Sequence, residues 1–287
     1  MLNVIVNPNI RKMEKLVAEV DSRFKERGVA CRFFYSARRG DARKYAQSLT
    51  AAGQTELVVM GGDGTVNDVL SGMADPSVVR LGIIPAGTGN DFAAVAGIPL
   101  GIKAVDLILD GEPQPTDYIE CGTHRSLNIA GTGMDVEILR RCENMTRGGR
   151  KGKYFRSLLA TVFKYKGSRI SVTAGGETRE YNALIAAVCN GKRLGGGIPL
   201  CPAAQIDDGL MELVVVERPP RGKLLPALFR LMRGKILEEP ITHHMSCRAA
   251  SVVSPEGKIF VQYDGEIFEE EALNAYLVSG RLHVWRG

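Results

Sequence analysis

Three short runs in this chain set carboxylates and hydroxyls beside glycine, where backbone N–H groups can close on a ligand. They are Gly61-Gly62-Asp63-Gly64-Thr65, Ala86-Gly87-Thr88-Gly89-Asn90-Asp91-Phe92 and Asp264-Gly265-Glu266. The first lies between the apolar run TELVVM and the helix-like VNDVLSGMA. Glycines at a strand-to-helix junction let N–H groups approach an anion, and the helix start adds the positive end of its dipole. Thr65 can cap that helix and offer its hydroxyl to a phosphate oxygen, and Asp63 can hold the metal that accompanies a nucleotide phosphate. A plain capped turn uses the same residues, so one such loop decides nothing. The second run repeats strand, glycine loop and helix, with Thr88 and Asn90 at the top of a neighbouring strand. In an open parallel sheet ligands sit outside the carboxyl ends of the strands, so the two loops are expected to face one cleft. Neither the GxxxxGK[ST] spacing nor GxGxxG followed by an acid is present, which sets aside the usual NTPase and dinucleotide fingerprints.

Asp-Gly-Glu occurs twice. Asp110-Gly111-Glu112 follows the helical pattern IKAVDLIL and reads as a helix stop, whereas Asp264-Gly265-Glu266 follows the strand-like KIFVQY. There the carboxylate stands at a strand end, beside a glycine that leaves room for a ligand. Asp207-Asp208-Gly209 before LMELVVVE reads as a turn. The four histidines offer no better chemistry: His243 and His244 are adjacent, so on a strand they point to opposite faces.

The elements that must position these runs fall into two groups. Residues 1–117 alternate short apolar runs with amphipathic stretches, the pattern of a parallel sheet covered by helices. The helix 13–27 repeats Met13, Leu16, Val17, Val20 and Phe24 and stops at Gly28. From 118 to 274 strands follow one another with fewer helices between them, as in an antiparallel β domain, and the last strand, 275–287, is expected to return to the first domain. GKLLPALFRLMRGK groups Leu224, Leu225, Leu228, Phe229, Leu231 and Met232 on one helical face, with Lys223, Arg230 and Arg233 along another. Such a helix suits an anionic membrane or an ordinary core. The stretch 140–156 is rich in Arg, Lys and Gly and reads as a loop.

A hydrophobic fraction of 45% and a charged fraction of 24% are those of a folded globular chain. The net charge of +5 is too mild to imply nucleic acid. Six scattered cysteines show no CxxC pair and read as buried thiols in a reducing compartment. No apolar run approaches the about 18 residues of a membrane span, and the start MLNVIVNPNI lacks a signal-peptide pattern, so a cytoplasmic protein is expected.

Taken together and in order, the motifs resemble the soluble bacterial diacylglycerol kinase and related lipid kinase family. They are Gly61–Thr65 with Asn67, Pro85–Phe92, Gly131-Thr132-Gly133-Met134-Asp135, Asn190-Gly191 with Gly195–Gly197, Pro202-Ala203, Asp207–Gly209 and Asp264–Glu266. The resemblance spans nearly the whole chain. It implies an N-terminal Rossmann-like three-layer α/β domain and a C-terminal, mainly antiparallel β-sandwich, with ATP between them. It implies that Gly61, Gly62, Asp63, Gly64 and Thr65 form the phosphate loop, with Thr88, Ser36 and Asn7 as further nucleotide contacts. It places a structural Mg2+ on the Asp208 carboxylate and the carbonyls of Gln205 and Leu210. It makes Asp264 the base for the acceptor hydroxyl and Glu266 a supporting acid. One departure is the run Asn7-Pro8-Asn9-Ile10, where relatives commonly carry Ser-Gly after Asn-Pro. The implied partners are ATP and a lipid at the inner face of the membrane, most directly diacylglycerol; a sphingosine-like or polyprenol acceptor, a homodimer, or a non-enzymatic nucleotide- or lipid-binding regulator are compatible with it. An NAD kinase shares the GGDG loop, but no run here resembles that family's TPTGSTAY motif.

Overall fold

A computed structural model of the chain describes residues 1–143 and 150–287. The chain forms two compact units, Met1–Asp117 with Ser279–Gly287, and Tyr118–Val278.

In the first unit the strands β1 (Leu2–Val6), β2 (Cys31–Tyr35), β3 (Glu56–Gly61) and β4 (Arg80–Pro85) alternate with the helices α1 (Met13–Glu26), α2 (Asp41–Ala51), α3 (Asp63–Gly72), α4 (Asp91–Val95) and α5 (Ile102–Asp110). The strands lie in the order β2-β1-β3-β4, all parallel, and the end of the last strand of the chain adds itself beside β4 through His283↔Arg80 and Val284↔Leu81. Leu57, Val58, Val59 and Met60 are wholly buried, as a parallel strand covered on both faces must be. The helices pack in pairs, α1 with α5 and α2 with α3. Gly28 has φ +74 and its N–H reaches Lys25 O, while the Val29 N–H reaches Phe24 O, so α1 ends in a left-handed glycine cap.

Because the four strands are parallel, their carboxyl ends at Val6, Tyr35, Gly61 and Pro85 share one edge of the sheet. Asn7, Ser36, Gly62 and Ala86 are the residues that leave it. The sequence reading of GGDGT as an exit loop is corrected in one respect: β3 runs on to Gly61 and α3 already begins at Asp63. Gly62 is the N-cap, so Thr65 lies inside the first turn and does not cap the helix.

The strand β5 (Pro113–Cys121) carries the chain from the first unit into the second, which goes on with β6 (His124–Ser126), β7 (Ile129–Gly133), α6 (Met134–Glu143), α7 (Arg150–Lys164), β8 (Ser168–Ala174) and β9 (Glu177–Cys189). It continues with β10 (Met211–Glu217), α8 (Leu224–Met232), β11 (Thr242–Cys247), β12 (Ala249–Val253), β13 (Ile259–Tyr263), β14 (Glu266–Glu270) and β15 (Leu273–Trp285). The pairings β7–β9, β8–β9, β9–β10, β10–β11, β8–β12 and β13–β14 are antiparallel. The chain leaves this unit at Ser279 and not at 275, because Asn274, Ala275 and Tyr276 pair with Ser251, Ala250 and Ala249 of β12.

Period-two alternation sorts β10 into two cores. Met211, Leu213 and Val215 join Val172, Val188, Val252 and Val261 inside the sandwich, while Val214 and Val216 face Ile138, Leu158, Val162, Leu224 and Leu231 under the helices. A strand covered on both sides needs a continuous apolar run, which is why LMELVVVE lacks the polar alternation of a half-exposed strand. The helices α6 and α7 replace the loop expected across 140–156; residues 144–149 of that stretch lie outside the described residues. All six cysteines are free thiols, with Cys31 and Cys142 only half-buried. Among the described residues, no helix is long and apolar enough to cross a membrane.

Candidate active site

The two glycine loops of the first unit interlock. A Cβ on Gly62 would stand 2.9 Å from the Gly87 Cα, and one on Gly87 would stand 2.4 Å from the Gly62 Cα. One on Gly89 would meet the Asp63 carboxylate at 2.5 Å, and one on Gly61 would meet the Thr65 side chain at 2.6 Å. The glycines are therefore required first by the approach of one loop to the other, before any ligand is considered. Asp63 Oδ2 accepts the Asn90 N–H at 2.8 Å, and Asn90, at φ 56, closes its own loop by accepting from the Gly87 N–H and donating to Gly87 O. Asn and Asp are the residues that tolerate this left-handed backbone best after glycine.

Asn7 ties the first loop to this pair. Its Nδ2 donates to Thr65 Oγ1 at 3.0 Å, and its Oδ1 accepts the Asn9 N–H. Ser36 is half-buried after β2, with both its N–H and its hydroxyl on Val6 O. Thr88 is exposed in the second loop. The first hydrogen bonds of α3 run from the Thr65 and Val66 N–H groups to Gly62 O, so the N–H groups before them point out of the helix end. An acceptor oxygen placed there would meet backbone donors and the helix dipole together. Arg43 and Arg39 bring positive charge close to Asp68 of α3, opposing the upward push that burial gives its carboxyl.

In the second unit, Asp264 and Gly265 are the two loop residues of the β13–β14 hairpin, whose last pair is Tyr263↔Glu266. Both have positive φ, 50 and 96, as tight hairpin turns demand of an Asp-Gly pair. A Cβ on Gly265 would meet no protein atom within 4 Å, so within the fold itself this glycine is required by its backbone angle. The Asp264 carboxylate is held by four donors. Oδ1 accepts from Ser126 Oγ at 2.5 Å, Ile129 N at 2.9 Å and Asn128 N at 3.1 Å, and Oδ2 accepts from Leu127 N at 2.9 Å. The Asp264 N–H returns to Ile129 O. Asn190 steadies that cradle by donating to Leu127 O, and Gly191 passes so close to Asn128 that a Cβ would meet its Oδ1. Ser126 and the 127–129 backbone were not found by sequence reasoning. No motif marks them, and 138 residues separate Ser126 from the aspartate. Glu266 is half-buried at the start of β14.

Asp208 Oδ1 accepts the Leu210 N–H at 3.0 Å, an Asx turn. Asp208 and Gln205 are exposed and Leu210 is half-buried. Among the described residues no three His, Cys, Asp or Glu side chains gather around one point. One carboxylate with the carbonyls of Gln205 and Leu210 is an all-oxygen set, the donor type that a largely hydrated Mg2+ accepts. Three of the four histidines are engaged structurally: His243 with Glu217 at 2.6 Å, His244 with Glu212, and His124 stacked on Tyr263.

Residues 1–121 match the diacylglycerol kinase catalytic domain, and residues 128–286 match the YegS C-terminal NAD kinase β-sandwich-like domain. A protein of Pseudomonas aeruginosa named "Probable lipid kinase YegS-like" is 31% identical over 85% of this chain and 81% of its own length. One of the same name from an Enterobacter species is 27% identical over 94% of this chain and 90% of its own. A crystal structure of a diacylglycerol kinase from Bacillus anthracis has the same fold, with a TM-score of 0.76 at 23% identity over 100% of this chain and 96% of that one. The α/β unit with its paired glycine loops and the antiparallel unit with its Asp-Gly hairpin are thus two domains of one known architecture, and the chain belongs to the YegS-like family of lipid kinases.

Proposed function

We propose that this protein transfers the γ-phosphoryl group of ATP to a hydroxyl of a membrane lipid, with diacylglycerol as the first candidate and phosphatidic acid as its product. The observation that carries this reading is the gathering of Asn7, Ser36, Gly62, Asp63, Thr65 and the Thr88 loop after the carboxyl ends of four adjacent parallel strands, in a chain of lipid kinase family.

Phosphoryl transfer asks a protein for positioning and for neutralisation of negative charge. The end of α3, with Gly61, Gly62 and Gly64 around it, offers backbone donors to the phosphates. Thr65 Oγ1 accepts from Asn7, so its hydroxyl keeps its own hydrogen for donation to a phosphate oxygen. Asp63, with one oxygen on the Asn90 N–H, would help hold the metal that accompanies a nucleotide phosphate. In the second unit Asp264 receives the proton of the acceptor hydroxyl; its Oδ1 is fixed by three donors, so the proton goes to Oδ2. Glu266 supports it. Asp208, with the Gln205 and Leu210 carbonyls, would hold a structural Mg2+ bracing the turn into β10. When bound with ATP, Mg2+ supplies further neutralisation of the transferring group.

Labelled ATP incubated with purified diacylglycerol, total lipid extract or NAD tests the reading. Labelled phosphatidic acid is expected. Absence of lipid labelling at every magnesium concentration would remove it, and label in NAD alone would reassign the acceptor. Asp264→Asn is expected to lower transfer by about 10²–10⁴-fold with ATP binding nearly unchanged. Full activity in that variant would refute the assignment of the base.

A further inference from the structure

The helix α8 has a wide apolar face, and only part of it is used by the fold. Leu224 and Leu231 are buried, with Ala227 and Leu228 packed behind them on the helical core. Round the helix from them, on the adjoining side, Leu225, Phe229 and Met232 are 54%, 55% and 41% exposed. Steps of four and three residues place these three in a single outer stripe, where a solvated helix carries polar side chains. The neighbouring helix repeats the feature: Leu159 and Phe163 of α7 are also exposed. Val162 of α7 lines the same small apolar cavity as Leu224, Ala227 and Leu228 of α8, over Leu184, Ile185 and Val216 of the sheet. The two helices thus cover one sheet face side by side, and each leaves large apolar side chains in solvent beside its buried face.

The charge around this stripe selects what covers it. Neither 150–166 nor 218–235 contains an Asp or Glu. Arg221, Lys223, Arg233 and Lys235 are exposed around α8, and Lys164 and Lys166 at the end of α7. Arg230 is the exception, its guanidinium taken by Glu238 and Glu239. The Arg233 guanidinium lies 4.0 Å over the Phe229 ring, so its stem follows the apolar stripe while its charge reaches the rim. A second copy of the chain is a poor occupant, because a two-fold contact would press this basic rim against itself. An apolar stripe inside a predominantly basic rim matches the acyl boundary and anionic headgroups of a phospholipid surface.

We propose that the outer face of α8, extended by Leu159 and Phe163 of α7, docks the protein on an anionic phospholipid membrane. This deepens the lipid kinase reading and rests on it for its purpose, but the docking is measured without ATP. The probes are vesicles of phosphatidylcholine with and without phosphatidylglycerol, in a sedimentation assay with the whole protein. Binding is expected to the anionic vesicles, to weaken as salt rises, and to be absent from pure phosphatidylcholine. The double variant Leu225→Ser, Phe229→Ser is expected to bind about tenfold more weakly, with an unchanged thermal transition and unchanged phosphorylation of a short-chain diacylglycerol in detergent. Arg221→Gln with Lys223→Gln keeps the stripe and is expected to lose the preference for anionic vesicles. Wild-type binding by the double variant would overturn the proposal, as would equal binding to both vesicle types, or a dimer in solution that the double variant dissolves. Failure of the kinase reading would show separately, as no transfer to the short-chain acceptor while vesicle binding persists.

Discussion

The Asp135 carboxylate is 2% exposed, and neither of its oxygens meets a donor in good hydrogen-bond geometry among the described residues. Burial pushes its pKa up to about 6, from an ordinary 3.8, and the nearby Val136 N–H and Gln262 amide only partly oppose the push. The sign of the consequence follows from proton counting. Between about pH 4 and pH 6 the folded chain holds a proton that the unfolded chain has released, so stability is greatest at the acid end of this window and falls as pH rises through it. The loss attributable to this one group is on the order of 3 kcal/mol. Asp135→Asn removes the ionisation while keeping the shape. In urea unfolding across pH 4.5–7.5, the variant should therefore gain on the wild type as pH rises and level off above about pH 6. A flat difference curve would mean that the carboxylate ionises in the folded state without penalty.

The interlocked loops after β3 and β4 act as one element, and the two kinds of glycine in the chain respond differently to a side chain. Gly62→Ala places a methyl group 2.9 Å from backbone, which cannot rotate away, so the loops must part. Loss of ATP affinity by more than about tenfold is expected, with destabilisation of about 1–3 kcal/mol. Gly265→Asn meets open space, so its cost is confined to the strain of a φ of 96, and it should leave the glycine loops and ATP affinity untouched. Isothermal titration with ATP and thermal unfolding of both variants decide the matter; normal ATP affinity in Gly62→Ala would show that the loops yield. The same contrast marks what was legible in sequence. The alternation of strand, glycine loop and helix announced the parallel sheet and both loops, because those signals are local. Thr65 as a cap was misread because β3 continues through Gly61, and α6 and α7 were missed because a Gly-, Arg- and Lys-rich run hides the apolar spacing of Met134, Ile138, Leu158 and Val162. The Ser126–Asp264 contact had no local signal at all; only the packing of β6 and β7 against the hairpin creates it.

For the chain as a whole, the first unit is completed by residues that come last. Leu282 and Val284 are wholly buried there, and Val284 pairs with Leu81 of β4. Around them the Gly280 N–H donates to the Asp117 carboxylate at 2.6 Å, the Trp285 indole donates to Gly111 O, and Arg286 donates to Thr116 and Pro115. The α/β sheet therefore closes only after the entire second unit has been made, a contact of high sequence separation that folding must reach late. Leu282→Ala should cost about 2–5 kcal/mol, the usual range for emptying a buried leucine site. That loss belongs to one unit if the two cores are energetically separate, since opening is confined to the cooperative unit that has been weakened. Hydrogen exchange read by peptide should then speed up in β1, β3 and β4 while β8, β9 and β12 keep their protection. Equal acceleration in both sets would show instead that the two units open as a single body, and unchanged exchange throughout would show that the last strand contributes little to the sheet it completes.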